Sequence, residues 1–350
     1  MPRPLRALLL VLLAATLLLT TAPAQQGRDA AQEGPGTVAR ETATPFLWRV
    51  ERGTATGYLY GTIHLPDARA LAVPAAVNKA FGESAAFYAE IETTPKTEMA
   101  VQMAALLPAG KALDRLVGDA TWARIRARLS AAGLPPAFAE GMKRMKPWAL
   151  GATLPMLRYL PDMAAGKPPL DKLLFQRAAE AGKDVGGLET SQEQIAAFEV
   201  FSEAEHVRML RDSLDELDRY EADGRDLMEE TLLAWLSGDL ERLLALMESG
   251  FGQDPELKET AAAALLWRRN LRMAGRIDER MRPDRTTFFA VGALHMPDAP
   301  LDRAPDGGAA PVRPTFAVGA GPAAGEGKRA PKLGLVTLLR ERGFSVTRVR

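Results

Sequence analysis

Two stretches of this 350-residue chain repeat one form: Tyr58-Leu59-Tyr60-Gly61-Thr62-Ile63-His64-Leu65-Pro66 and Phe289-Ala290-Val291-Gly292-Ala293-Leu294-His295-Met296-Pro297. Each is an apolar run, then Gly-x-x-His, then an apolar residue and a proline. Short apolar runs of this kind read as strands. The glycines permit unusual backbone angles or close approach of another group, and the prolines stop the strands. The two copies lie more than 200 residues apart. A fold that uses both must therefore bring distant parts of the chain into one sheet. Each imidazole would then sit at the mouth of that sheet, where ligands of α/β proteins gather.

The remaining elements agree with such a sheet. Phe46–Arg52 reads as a strand, Gly53–Gly57 as a turn, and the strand opened by Tyr58 pairs with the first as a hairpin. A helix starts at Pro74 and runs to Ser84, and Ala86–Glu92 is a third strand. From Pro95 to Asp184 the pattern is helical, with segments at 119–132, 147–159 and 169–182 divided by Pro and Gly. Lys183–Glu189 is a short strand. Long helical stretches follow over 191–249 and 255–281, Thr286–Gly292 is a strand, and the chain closes with a helix and a strand in Gly334–Arg350. The expected fold class is α/β (α+β): a central mixed sheet from N- and C-terminal strands with a large helical middle section, in one domain over 45–350. Residues 297–332, rich in Pro, Gly and Ala, read as an inserted loop.

Composition narrows the chemistry. There are 44 Lys+Arg, 44 Asp+Glu, 3 His and no Cys. Zero net charge argues against nucleic acid as a partner. Absence of Cys excludes disulfides, thiolate nucleophiles and Cys-ligated metal. No G-x-S-x-G, P-loop, H-E-x-x-H or dinucleotide fingerprint occurs. His64 and His295 are thus the candidates for general base or metal ligand. The third histidine, His206, lies among Glu203, Glu205 and Arg208 and reads as a solvated helix-surface residue.

Carboxylates normally complete a two-histidine site for a divalent ion. Glu90 and Glu92 end the third strand and share a face under its period of 2. Glu189 ends another strand, where it is either a second site carboxylate or a helix-capping acid. The helix through Trp267-Arg268-Arg269-Asn270 offers a guanidinium for an oxyanion or a substrate carboxylate.

The N-terminus reads as an export signal. Arg3 and Arg6 precede a run from Ala7 to Leu19, apolar apart from Thr16, and Ala22-Pro23-Ala24 suits signal peptidase. Its 13 residues are fewer than the ~20 that span a bilayer. Cleavage of residues 1–24 would leave a periplasmic or secreted protein of net charge −2 with no stable membrane anchor, beginning in a flexible lead-in over 25–44.

With these residues in view, the chain resembles the TraB/PrgY/GumN family, whose GumN-like branch is exported and which is related to the animal Tiki proteins. The resemblance runs from Phe46-Leu47-Trp48-Arg49-Val50 to the closing Gly343-Phe344-Ser345-Val346. It is carried by Gly61-Thr62-Ile63-His64, the strand ending at Glu90, Lys146-Pro147-Trp148, Gly187-Leu188-Glu189-Thr190 with Gln192 and Gln194 following, Arg269-Asn270 and Val291-Gly292-Ala293-Leu294-His295. Tiki proteins are metal-dependent proteases of secreted signalling proteins, and their paired G-x-x-H histidines and an acidic residue are taken as the active site. By position the resemblance implies those roles for His64, His295 and Glu90. Arg269 and Asn270 match the family's polar helix motif, and Glu189 its Leu-Glu-Thr motif. The family usually passes from the second G-x-x-H through a short turn into the last helix, whereas here about 35 residues intervene before Leu335.

The expected activity is hydrolysis of a peptide bond, or a related amide or ester, outside the cytoplasm, with a peptide or protein as substrate. His64, His295 and Glu90 would hold a divalent ion of the Mn, Co or Zn class. Glu92 or Glu189 would serve as second carboxylate or base, and Arg269 would face the oxyanion. A metal-free variant would use one histidine as base. The alternative is a periplasmic binding protein that captures a peptide or glycan without chemistry.

Overall fold

The computed structural model describes residues 44–250, 254–298 and 333–349. The signal segment, the lead-in apart from Thr44, and nearly all of 297–332 lie outside the described residues. Six strands form one mixed sheet: β1 (Leu47–Arg52), β2 (Ala55–Thr62), β3 (Ala86–Ile91), β4 (Asp184–Glu189), β5 (Thr287–Gly292) and β6 (Ser345–Arg348). Their order is β4-β3-β5-β2-β1-β6. β2, β5, β3 and β4 run parallel, while β1 is antiparallel to both β2 and β6. The mixed α/β architecture expected from the sequence is the one observed.

Helices cover both faces, as a parallel core requires. β5 is buried at every residue, which explains its uncharged sequence. On one face Phe87 and Phe288 meet Phe81 from α1 (Ala75–Glu83), and Tyr60 meets Phe288. A second helix, α2 (Pro95–Ala104), follows β3. Phe175 of α3 (Leu170–Glu180) packs on Phe87.

Five more helices shape the site. α4 (Ser191–Phe198) follows β4, then come α5 (Glu203–Ala222) and α6 (Leu227–Ser237). From α6, Trp235 sets its ring against Tyr60 and donates its indole N–H to Gly61 O. On the opposite face α7 (Arg268–Arg280) lies along β4 and packs against α8 (Leu335–Glu341).

Local details depart from expectation. The β1–β2 connection is a two-residue loop, with Arg52 paired to Ala55 and Gly53 at φ 60°. β2 therefore begins at Ala55, inside the segment read as a turn, because a glycine at the first loop position lets the tight hairpin close. The stretch 191–249 is broken three times. Ser202 and Asp226 cap new helices, and Gly238 ends α6 at φ 73° in the left-handed region. The helix expected over 255–281 contains a π turn at Ala263–Trp267.

His206 is a correction. It is buried, and its Nε2 meets Phe198 O at 2.9 Å. On α5 it shares a stripe with Leu210 and Leu214 at spacing 4, so it faces the core while its charged neighbours face out.

Candidate active site

All four parallel strands end at the same edge of the sheet, and every predicted site residue lies there or on the helix beside it. Glu90 is the penultimate residue of β3, and Glu189 is the last of β4. His64 follows β2 by two residues. His295 sits in a 3₁₀ turn (Ala293–His295) directly after β5. Arg269 and Asn270 come from the first turn of α7.

Gly292 is where the group meets. A Cβ built there would lie 2.9 Å from Glu90 Oε1, 3.6 Å from His64 Nε2 and 3.7 Å from His295 Cδ2. The distant pair of imidazoles and the carboxylate therefore face one small space, which glycine leaves open. Gly61 has the matching role in the first motif. Its Cβ would stand 3.2 Å from Ala293 Cα and 2.9 Å from Phe46 Cβ, so its absence lets β2 fit against the second motif.

Each imidazole is tethered through Nδ1. Asn270 donates Nδ2 to Leu333 O at 2.9 Å, so its Oδ1 is the acceptor for His295 Nδ1–H at 2.6 Å. That fixes the tautomer with the lone pair on Nε2. Asp171 Oδ1, in the first turn of α3, lies 3.1 Å from His64 Nδ1 and leaves that ring's Nε2 turned to the shared space. Such back-side partners orient histidines that ligate metals or act as bases.

The two rings differ in charge. Burial pushes the His295 imidazole down to about 3, so it is neutral near pH 7. The attraction of Asp171 lifts His64 to about 9. Its side chain is 60% exposed, and solvent screens part of that pull, leaving the upward direction. Burial works against the charge on Glu90. His295, Arg269 and His64, with the Gly292 N–H bond, outweigh it and hold the carboxyl well below the usual carboxylate range.

Glu90 is engaged on both oxygens. Oε1 accepts the Gly292 N–H at 2.6 Å. Oε2 takes Arg269 Nη2 at 2.5 Å and Gln194 Nε2 at 3.4 Å, and stands 3.8 Å from His295 Nε2. Arg269 also donates Nε to Glu189 Oε2 at 2.8 Å and Nη1 to Leu265 O at 3.1 Å. With all three nitrogens donating, it clamps the two carboxylates together. Glu189, whose side chain has 0% exposure, takes Arg272 on its other oxygen at 2.9 Å. The capping role weighed for Glu189 belongs to Thr190, which forms a reciprocal box with Glu193. Glu92 is exposed beyond β3, with Oε1 near Gly186. The structure thus brings together His64, His295, Glu90, Arg269 and Asn270, holds Glu189 one residue behind, and leaves Glu92 outside.

Two contributors escaped the sequence. Asp171, in Pro169-Leu170-Asp171-Lys172, carried only the weak signal of an acid in a first helical turn. Gln194 lies one turn into α4 and had no signal beyond its place in the family's motif.

Among the described residues no group of three or more His, Asp or Glu side chains is disposed as a ready metal cage. The donor chemistry nevertheless suits a divalent cation: two oriented imidazole nitrogens and a carboxylate around an open cradle at Gly292.

A mixed α/β sheet with a histidine pair at the carboxyl ends of its parallel strands defines the class. Within it, the chain belongs to the TraB/PrgY/gumN family, whose model matches residues 46–300. It is similar to metalloprotease TIKI1 of Danio rerio, with 26% identity over 290 residues, 71% of this chain and 58% of the relative. A metalloprotease TIKI homolog of Nematostella vectensis is 25% identical over 294 residues, covering 71% and 62%. Metalloprotease TIKI1 of Homo sapiens is 24% identical over 291 residues, covering 71% and 57%. The chain therefore spans under two thirds of the length of these relatives. No solved structure matches.

Proposed function

We propose that the protein is an exported, metal-dependent hydrolase of peptide bonds, working at the Gly292 cradle. The observation that carries this reading is the meeting of His64 Nε2, His295 and Glu90 Oε1 around that cradle, each imidazole tied back through Nδ1. Similarity to proteins named metalloproteases supports the reaction class. The export reading rests on residues 1–24.

His64 Nε2, His295 Nε2 and Glu90 Oε1 would hold a divalent ion of the Mn, Co or Zn class, which when bound would acidify water and polarise a carbonyl. The chain's own residues prepare the place. Asn270 holds the His295 ring with its Nε2 lone pair inward, and Asp171 orients the His64 ring, whose Nε2 would give up its proton to a bound cation. Arg269 keeps Glu90 ionised and fixed, and Glu189 with Arg272 keeps Arg269 from swinging away. The missing side chain of Gly292 lets Glu90 Oε1, His64 Nε2 and His295 face one small space. In the reaction, water adds oxygen to the acyl carbon, the C–N bond breaks, and the water's protons end on the leaving amine and the new carboxylic acid.

The test compares wild type with a His64→Ala/His295→Ala double variant, both purified without chelator. Metal bound only by wild type is expected, with cleavage of quenched fluorescent peptides that chelation abolishes and Mn²⁺, Co²⁺ or Zn²⁺ restores. Equal metal content and no cleavage would sink the reading. One observation favours a second: Glu90 and Arg269 are fully engaged with each other and their neighbours, which suits a rigid binding pocket. Undiminished peptide capture without turnover would point to that binder.

A further inference from the structure

The first Gly-x-x-His motif contains one polar side chain with no part in the site as described. Thr62 is 2% exposed, and its Oγ1 has no hydrogen-bond partner among the described residues. A buried hydroxyl left in that state is unfavourable, so such groups normally find one. Thr62 pairs with Gly292 across the parallel β2–β5 ladder. Paired residues of adjacent strands share a face, and their Cβ positions lie about 5 Å apart. Thr62 is thus paired with the residue whose Cβ position opens to Glu90 Oε1, His64 Nε2 and His295, and it precedes His64 by two residues. The echo between the two motifs also fails here, because the second carries Ala293 in place of Thr62. Ala293 packs against Gly61, its Cβ 3.2 Å from the Gly61 Cβ position.

We infer that Thr62 is a positioning residue: its Oγ1 holds a water molecule against the histidine pair. In the hydrolase reading, on which this rests, that water is the nucleophile. By accepting one O–H of the water, Thr62 turns an oxygen lone pair toward a carbonyl lying over Gly292.

Thr62→Val removes the hydroxyl while keeping the shape, and Thr62→Ser restores it. Crystal structures of wild type and Thr62→Val give the first readout. Wild type should show an ordered water within hydrogen-bond distance of both Thr62 Oγ1 and either His64 Nε2 or Glu90 Oε1, and the valine variant should lack it. With a mixed-sequence quenched peptide, kcat should fall about 100-fold in Thr62→Val at unchanged KM, as for misplaced reacting groups. Thr62→Ser should recover most of the loss, and thermal stability should not drop. A Thr62 Oγ1 that is dry or bonded to a backbone carbonyl overturns the inference, as does a valine variant with wild-type kcat. Should wild type cleave no peptide, the hydrolase reading fails while the crystallographic readout still decides the water site, so the two failures are told apart.

Discussion

Glu90 and Gly292 are fitted to each other through a missing side chain: Oε1 accepts the Gly292 N–H at 2.6 Å and lies 2.9 Å from where a Cβ would stand. Both contacts need the same residue type. Gly292→Ala should push the carboxylate off its amide and crowd His64, costing about 1–3 kcal/mol by overpacking and abolishing divalent-ion binding. Denaturant melts and metal titration check this, and a fully stable, metal-competent alanine variant would contradict it.

The back-side tethers should matter for function in different ways. Asp171→Ala removes a partly exposed carboxylate, so the fold should hold while affinity for Mn²⁺ falls about 10–100-fold, the usual effect of losing such a partner. Asn270 is fully buried and also serves Leu333 O. Asn270→Ala should show the same affinity loss together with about 1–3 kcal/mol of destabilisation. Calorimetric titration and urea unfolding of both variants separate the two effects.

Arg269 bridges two buried carboxylates at once. Arg269→Ala would strand Glu90 and Glu189 beside a single remaining guanidinium, Arg272. The expected cost is about 3–5 kcal/mol, the range for breaking one side of a buried pair. Lysine cannot bridge two carboxylates with a planar fork, so Arg269→Lys should recover only part. Urea midpoints decide the order, and an alanine variant as stable as wild type would rule the clamp out.

Acid should weaken the β4–α4 corner. Hydrogen bonds from Arg276 hold the Glu193 carboxyl at about 2, below its unfolded value of 4.5. A depressed carboxylate stabilises above its unfolded pKa, and that stability drains as pH falls through the folded value. The side chain is 28% exposed, so the contribution is on the order of 2 kcal/mol at neutral pH. Unfolding of wild type and Glu193→Gln should differ by that amount near pH 6 and converge toward pH 2.

Much of this site was legible because its signals are local. The Gly-x-x-His echo named both imidazoles and the strand ends that carry them, and strand period pointed to Glu90. Residues supplied by packing were not legible. Asp171 reaches His64 only because α3 covers the face above β3, and nothing in its own neighbours says so. His206 was misread from charged neighbours, although its spacing with Leu210 and Leu214 placed it on the buried stripe. The breaks at Ser202, Asp226 and Gly238 depend on single capping residues that a continuous apolar period conceals. Strand order was out of reach as well, since no local pattern says that β5 inserts between β2 and β3.

That insertion bears on how the molecule comes to be. His64 and His295 become neighbours only when β5 docks beside β2, after the whole helical middle has been laid down. Closing so long a loop is slow relative to local structure. A half-made chain can form its first hairpin and many helices, but without β5 it lacks His295, so the histidine pair is completed only when the C-terminal part of the chain docks.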